Sequence, residues 1–481
     1  MKSPKNLKVI CFLDNPTGRD AEIIIPLAYC FEKYLSADVR VEFIWNAFML
    51  TVWKPHAVIL PNTRGHNLYV EIAQTAKKMN MVVLAHESEG NFIELEDYNF
   101  WSYNKEKLLI QEWLTTWSEH KIEYTEKQVA EEEAFRVVHT GGIGFDRYRI
   151  CKFVKERNRL AKKFNIADYK LIIGYAGWAF GKIHGDFKEL SHTKIYPNEP
   201  EKRYQWVEDQ RVYVRDILEK TIQSNPDMLF LLKKHPKESF ESETSEGPNE
   251  MNELLHYPNV YYIKNEELIH NLINICDLWM GFETTTCMEA WMMGKETVLI
   301  NQTDDFPRAN QHKGSVKIRS YDQISKLLKN YHLTGKVEDF YKPELSTFRR
   351  DEINKSIGWS DGKNHLRAFF YFANTVLGWN KSIIFGINWK HLRLYLLMNI
   401  GQYFYNKRLF KKLPKFKKTI YVFENRSMEG YHQRKNEYYS DLKDFHKKHD
   451  VSSDFLKDST KILGHKFQQS AHEKINLHLS K

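Results

Sequence analysis

CDLWMGFETTTCMEAWMMGKETVLIN, residues 276–301, is the stretch whose reading decides the fold. Leu278, Trp279 and Met280 form a short apolar run of strand type, Gly281 offers a turn, and the hydroxyl cluster Thr284, Thr285 and Thr286 opens a helix. That helix is apolar except for one acid, Glu289, closes at Gly294 and yields to a second strand over Thr297–Ile300. Free backbone N–H groups and threonine hydroxyls at a helix start suit a phosphate group. Glu289, one turn further in, is placed to accept hydrogen bonds from ribose hydroxyls. The same pattern also describes an N-capped core helix in any α/β protein. A second motif favours the binding reading: the strand Met228–Leu232 runs into Lys233-Lys234-His235-Pro236. Two cations and a histidine at the end of a parallel-type strand lie where α/β folds bind ligands.

Upstream the pattern alternates. Strands are expected over Leu7–Leu13, Val39–Ile44, Ala57–Leu60 and Met81–Ala85, with helices over Asp20–Leu35 and about Asn67–Lys78. This spacing argues for a parallel sheet covered on both faces. The fourth strand enters His86-Glu87-Ser88-Glu89-Gly90-Asn91, which reads either as an exposed polar turn or as part of an active edge. Helices are expected at about Lys105–Trp117 and Tyr124–Ala134, then a strand over Phe135–Val138 ending in Thr140-Gly141-Gly142-Ile143-Gly144. That glycine cluster lacks the Lys-Ser/Thr of a P-loop and the spacing of a dinucleotide fingerprint, so it reads as a crossover between domains. The helix Lys152–Phe164 is the expected linker. The strand Lys170–Tyr175 leads into the small-residue loop around Gly177.

Past residue 340 the pattern is helical, with Asp351–Leu377 able to cross back to the first domain and a basic, aromatic stretch in the last hundred residues. Domains are accordingly expected at 1–165 and 166–335, with crossover helices at 336–380 and a basic helical extension at 381–481. The chain has 481 residues, 42% hydrophobic, 28% charged and 14% aromatic, with a net charge of +9. These values describe a folded chain large enough for several cores. The positive balance suits an anionic ligand or surface. Cys11, Cys30, Cys151, Cys276 and Cys287 show no CxxC spacing and read as reduced core residues of a cytoplasmic protein. A secretory leader and a membrane-spanning run are not expected. Nor is nucleic-acid binding, for which no matching module is legible.

Two βαβ domains bearing Glu87-Ser88-Glu89-Gly90, His235-Pro236 and Thr284-Thr285-Thr286 in that order resemble GT-B glycosyltransferases of bacterial surface carbohydrates. The resemblance is to enzymes that use CMP-activated sugars such as sialic acid or Kdo, and it covers roughly residues 7–330. Those enzymes carry an acidic D/E-D/E-G motif, an HP motif and a serine/threonine pair. Here Ser88 interrupts the acidic pair, leaving Glu87 or Glu89 as the functional acid, and threonines replace serines.

The resemblance implies two Rossmann-like domains facing a cleft, a nucleotide-sugar donor, and a glycan or lipid-linked acceptor. It further implies Glu89 as base with Glu87 and His86 in reserve, and His235 beside Lys234 against the leaving phosphate. Gly177, Lys234, His235, Pro236, Thr284, Thr285, Thr286 and Glu289 would form the nucleotide site. No strand-end DxD element is legible, Asp304-Asp305 being the nearest acidic pair, so metal-independent chemistry without a cofactor is expected. A CDP-glycerol or UDP-sugar donor is the alternative, and a non-catalytic nucleotide- or glycan-binding scaffold is the reading from another class. Residues 407–418, with seven Lys/Arg among Leu409, Phe410, Leu413 and Phe416, read either as a solvated charged face or as an anchor to an anionic membrane surface.

Overall fold

A computed structural model describes residues 6–14, 16, 18–61, 67–88, 109–126, 129–177, 200–234, 250–263, 267–282, 284–303, 313–408, 423, 428–452 and 454–480. They fall into two compact units, one drawn from the described residues of 6–151 and 355–480, the other from those of 152–354.

The first unit carries six parallel strands: β1 (Lys8–Leu13), β2 (Asp38–Phe43), β3 (Ala57–Leu60), β4 (Val82–His86), β5 (Trp113–Thr116) and β6 (Val137–His139). Their order in the sheet is β2-β1-β3-β4-β5-β6. β1 beyond Lys8, β3, and β4 up to His86 are apolar runs because helices cover both faces of a parallel sheet. β2, at the edge, instead alternates charged and apolar residues (DVRVEF).

The second unit carries β7 (Leu171–Gly177), β8 (Met228–Lys233), β9 (Val260–Ile263), β10 (Leu278–Phe282), β11 (Glu296–Ile300) and β12 (Val316–Ile318). These six are also parallel, in the order β12-β11-β10-β7-β8-β9. The chain winds outward from β7 through β8 and β9, then restarts beside β7 with β10. The strand order therefore reverses between β7 and β10, where doubly wound sheets open a crevice at the carboxyl ends of the strands. Two Rossmann-like parallel sheets with a helical C-terminal region make this a GT-B type fold.

Three local expectations need correction. The helix expected at Lys105–Trp117 gives way to strand β5 over Trp113–Thr116, whose aromatic and β-branched residues are fully enclosed in the sheet. The helix expected at Tyr124–Ala134 is displaced to Glu119–Glu126, and Glu131–Arg136 winds as a 3-10 helix. Gly281 lies within β10 and makes no turn; a Cβ there would meet Cys287 Sγ and Thr284 Cγ2 at 2.8 Å. It is a glycine of close approach.

The C-terminal helices complete the first unit. Helix Asn364–Gly378 buries Leu366, Phe369, Phe370 and Phe372, with Phe369 edge-on to Phe31 at 5.1 Å. Tyr431, Tyr438 and Leu442 of helix Met428–Lys448 join the same core. The glycine cluster serves this docking. Gly141 has φ +82° and a Cβ there would lie 2.1 Å from Asn364 Oδ1, while the Gly142 N–H donates to Ile357 O at 2.8 Å.

A buried polar chain fixes the same helices. The Asp146 carboxylate accepts from the His365 backbone N–H (2.7 Å) and pairs with His365 Nδ1 (2.8 Å). His365 Nε2 meets His446 Nε2 at 2.9 Å, and His446 Nδ1 meets the Tyr34 hydroxyl at 2.6 Å. Glu22 takes both Arg147 and Arg434 in the same interior.

Candidate functional site

At the carboxyl edge of the second sheet the strand register aligns the candidate residues. Lys233, Ala176 and Gly281 form one row across β8, β7 and β10; Gly177 and Phe282 begin the next, with Lys234 just beyond β8. Two strand spacings separate β8 from β10, so Lys234 and Phe282 lie about 10 Å apart on either side of Gly177, with Thr284 two residues beyond Phe282. Gly177, without a side chain, ends the central strand β7. Lys234 is buried, its backbone N–H held by Ile263 O at 2.9 Å.

The three threonines have different positions. Helix Thr286–Met292 opens within the hydroxyl cluster, with Thr285 at its N-cap. Thr284 Oγ1 accepts from the Thr286 N–H at 3.2 Å and donates to Thr286 Oγ1 at 3.1 Å, which in turn accepts from Trp279 Nε1 at 2.9 Å. Thr284 and Thr286 therefore brace the helix start, and Thr285 is the exposed one. Glu289 is buried one turn in, and Gly294, at φ +72°, ends the helix in the left-handed conformation typical of a C-terminal glycine.

Sequence reasoning missed the residues that close this edge from the side. Trp206 of helix Pro200–Gln223 sits 6.1 Å from the Phe282 ring and donates from Nε1 to Thr303 Oγ1 at 2.7 Å. Gln210 Oε1 accepts from the Gln302 N–H at 2.7 Å. A tryptophan and a glutamine in a long polar helix carry no positional signal; the sheet alone brings them to β10 and β11.

In the first unit the acidic motif follows β4. Glu87 is buried with Lys121 at 3.3 Å, a partner that no motif signals, and its carbonyl accepts from Trp117 Nε1 at 2.5 Å. Arg19 donates to Ser88 O at 3.3 Å and lies over the Trp117 ring. His86 is enclosed, and its tautomer follows from its neighbours. Thr115 Oγ1 gives its proton to Ala85 O (3.1 Å), so it accepts from His86 Nδ1–H (2.8 Å), while His86 Nε2 accepts from the Ile143 N–H (3.2 Å). Both nitrogens are committed to the fold. Burial, then the charge of Lys121, push the His86 pKa down to about 3.

Glu89, Gly90, His235, Pro236, Asp304, Asp305 and residues 409–418 lie outside the described residues. Among the described residues, one group has the composition of a metal site: Cys30, His365 and His446, all buried, with donor atoms within 4.8 Å of one another. Both histidines already have polar partners in the chain from Asp146 to Tyr34, so its evident role is to lock helices together. Burial, then the neighbouring His365, hold His446 neutral, its pKa lowered to about 2.

A scan against protein-family models finds no match, and no curated protein matches the chain. Solved structures do. A UDP-N-acetylglucosamine 2-epimerase structure from Listeria monocytogenes aligns with a TM-score of 0.51 at 10% identity, over 80% of this chain and 100% of that one. A Neisseria meningitidis UDP-GlcNAc 2-epimerase bound to UDP-GlcNAc aligns at 0.48 and 13% identity, over 75% and 99%. The wall teichoic acid polymerase TagF aligns at 0.47 and 12% identity, over 77% and 89%. At such identities the likeness is one of fold, and the Listeria structure supports the two-sheet architecture.

Proposed function

We propose that this chain is a nucleotide-sugar-dependent glycosyltransferase, with the donor nucleotide held at the carboxyl edge of the second sheet. The observation that supports the reading is the strand register where strand order reverses, which sets Gly177 beside Phe282, with Lys234 following β8 and the Thr284–Thr286 helix start following β10. Fold alone does not determine function, so the weight rests on these residues. In this reading Thr285 and the backbone around it receive the phosphate, Lys234 and His235 neutralise the charge that develops on it, and Glu289 orients toward the ribose. Glu89 accepts the proton of the acceptor hydroxyl. Glu87, buried against Lys121, is the alternative acid in the same motif.

The favoured donor is a CMP-activated nonulosonic acid, supported by the order of the acidic, His-Pro and threonine motifs. The acceptor in this reading is a surface glycan, free or lipid-linked. The chemistry proposed is metal-independent.

Thermal unfolding with CMP, CDP, UDP and GDP tests the reading. A nucleotide at a hundred times its dissociation constant adds about 2.7 kcal/mol of stability. CMP is expected to stabilise the protein and its sugar conjugate to turn over. Stabilisation by UDP or CDP and not by CMP would discard the CMP donor; silence from all four would discard the nucleotide site.

A further inference from the structure

Helix Trp389–Asn406 presents an apolar stripe to solvent. Its inward side is accounted for: His391 is buried, and Leu394 and Met398 pack on the core of the first unit. Its outward side is also apolar, with Trp389 (72% exposed), Leu396, Leu397 (56%), Ile400 and Tyr403 (59%) spaced as one helical stripe. Phe385, 60% exposed, extends it from the preceding segment. Soluble surfaces seldom gather large apolar side chains in this way unless they are covered by something.

The stripe is held in place. Ile384 N–H donates to Met79 O (3.0 Å), Thr51 Oγ1 to Gly386 O (2.8 Å), and Asn388 Nδ2 to Thr75 Oγ1 (2.9 Å). Asn388 Oδ1 also caps the helix, accepting from the Lys390 N–H at 3.1 Å. The backbone is thus tied to the unit with its apolar side chains pointing away from it.

Charge indicates what covers the stripe. From Lys381 to Phe423 the sequence has ten Lys/Arg and no Asp or Glu, and one of them, Lys390, pairs with Glu71. Lys381, Arg393, Lys407 and Arg408 belong to the described part of that run and are exposed. Exposed cations on an apolar stripe, with Lys381 before it and Lys407 and Arg408 after it, match an anionic lipid leaflet, where side chains insert shallowly and cations meet headgroups. No described helix is long and apolar enough to cross a membrane, so this one would lie in the plane of the interface.

We propose that the Trp389–Asn406 helix docks the protein on an anionic membrane surface. The proposal deepens the lipid-linked acceptor of the transferase reading and rests on that reading for its purpose, while its evidence is this surface.

The test is co-sedimentation of the full chain with phosphatidylglycerol-containing vesicles and with phosphatidylcholine alone. Binding to the anionic vesicles, release at high salt and weaker binding to the neutral ones are expected. Leu397→Asp with Ile400→Asp should lower partitioning at least about tenfold, with thermal stability and nucleotide stabilisation unchanged. Brominated-lipid quenching of tryptophan, diminished in Trp389→Phe, checks insertion without a new charge. An intact chain that ignores anionic vesicles at low salt overturns the proposal. So does a double variant that binds as well as the parent, or a wild-type dimer, dissolved by the double variant, that binds no vesicles. Vesicle binding without nucleotide stabilisation would keep this surface and remove the transferase; the reverse would remove the surface alone.

Discussion

His86 makes acid stability of the first unit calculable. Its neutral ring is fixed between Thr115 and Ile143, and its pKa falls from 6.5 to about 3 on folding. Between those values the unfolded chain binds a proton at this site that the folded chain does not. Stability therefore rises with pH across that window, and is lost as pH falls below about 6.5 toward 3. Each pH unit well below 6.5 corresponds to about 1.4 kcal/mol per histidine, so lowering pH from 6.5, where the unfolded ring is half protonated, to 4.5 removes about 2.3 kcal/mol through His86 alone. His139, lowered to about 4 by burial, acts with the same sign. His86→Gln keeps an acceptor for Ile143 and a donor for Thr115 but cannot titrate. Urea unfolding of the two proteins at a series of pH values should show the variant's stability declining less steeply, by one proton's worth. Superimposable slopes, or a His86 Cε1 resonance that titrates near pH 6.5, would refute the argument.

Gly281→Ala places a Cβ 2.8 Å from Cys287 Sγ and Thr284 Cγ2 and should displace the start of the threonine helix. A destabilisation of about 1–3 kcal/mol is expected from overpacking, with loss of nucleotide affinity by titration calorimetry; an unchanged affinity would move the site elsewhere. His235→Ala should preserve the melting temperature and cost about 2.7–4 kcal/mol of transition-state stabilisation in steady-state kinetics. Turnover within a few-fold of the parent would remove it as the phosphate partner. Glu89→Gln should slow transfer about 10²–10⁴-fold with nucleotide binding intact. Glu87→Gln should mainly lower thermal stability, by about 3 kcal/mol, because it weakens a buried ion pair with Lys121. If Glu87→Gln slows transfer at normal stability and Glu89→Gln is silent, the two roles are exchanged.

The sheets were legible because parallel strands buried on both faces must be apolar throughout, as in Ala57–Leu60, whose bounds read from sequence match the structure. β5 was not, because Trp113–Thr116 offers four residues with two threonines, and its burial is set by β4 and β6 on either side. The candidate nucleotide edge was legible as a set of strand ends, since lysine, glycine and threonine stand out after apolar runs. What each one does there was not. Thr284, Thr285 and Thr286 are chemically alike, and only the positions of Trp279 and the Thr286 N–H separate the two that brace the helix from the one facing solvent. The same holds for His86: beside Glu87 and Glu89 it reads as a reserve base. Thr115 and Ile143, 29 and 57 residues away, turn it into a neutral strut. Motifs identify the edge of a sheet where chemistry can occur, and long-range hydrogen bonds then withdraw individual residues from it. A base that must exchange a proton cannot have both ring nitrogens committed to holding the fold, which withdraws His86 from that role.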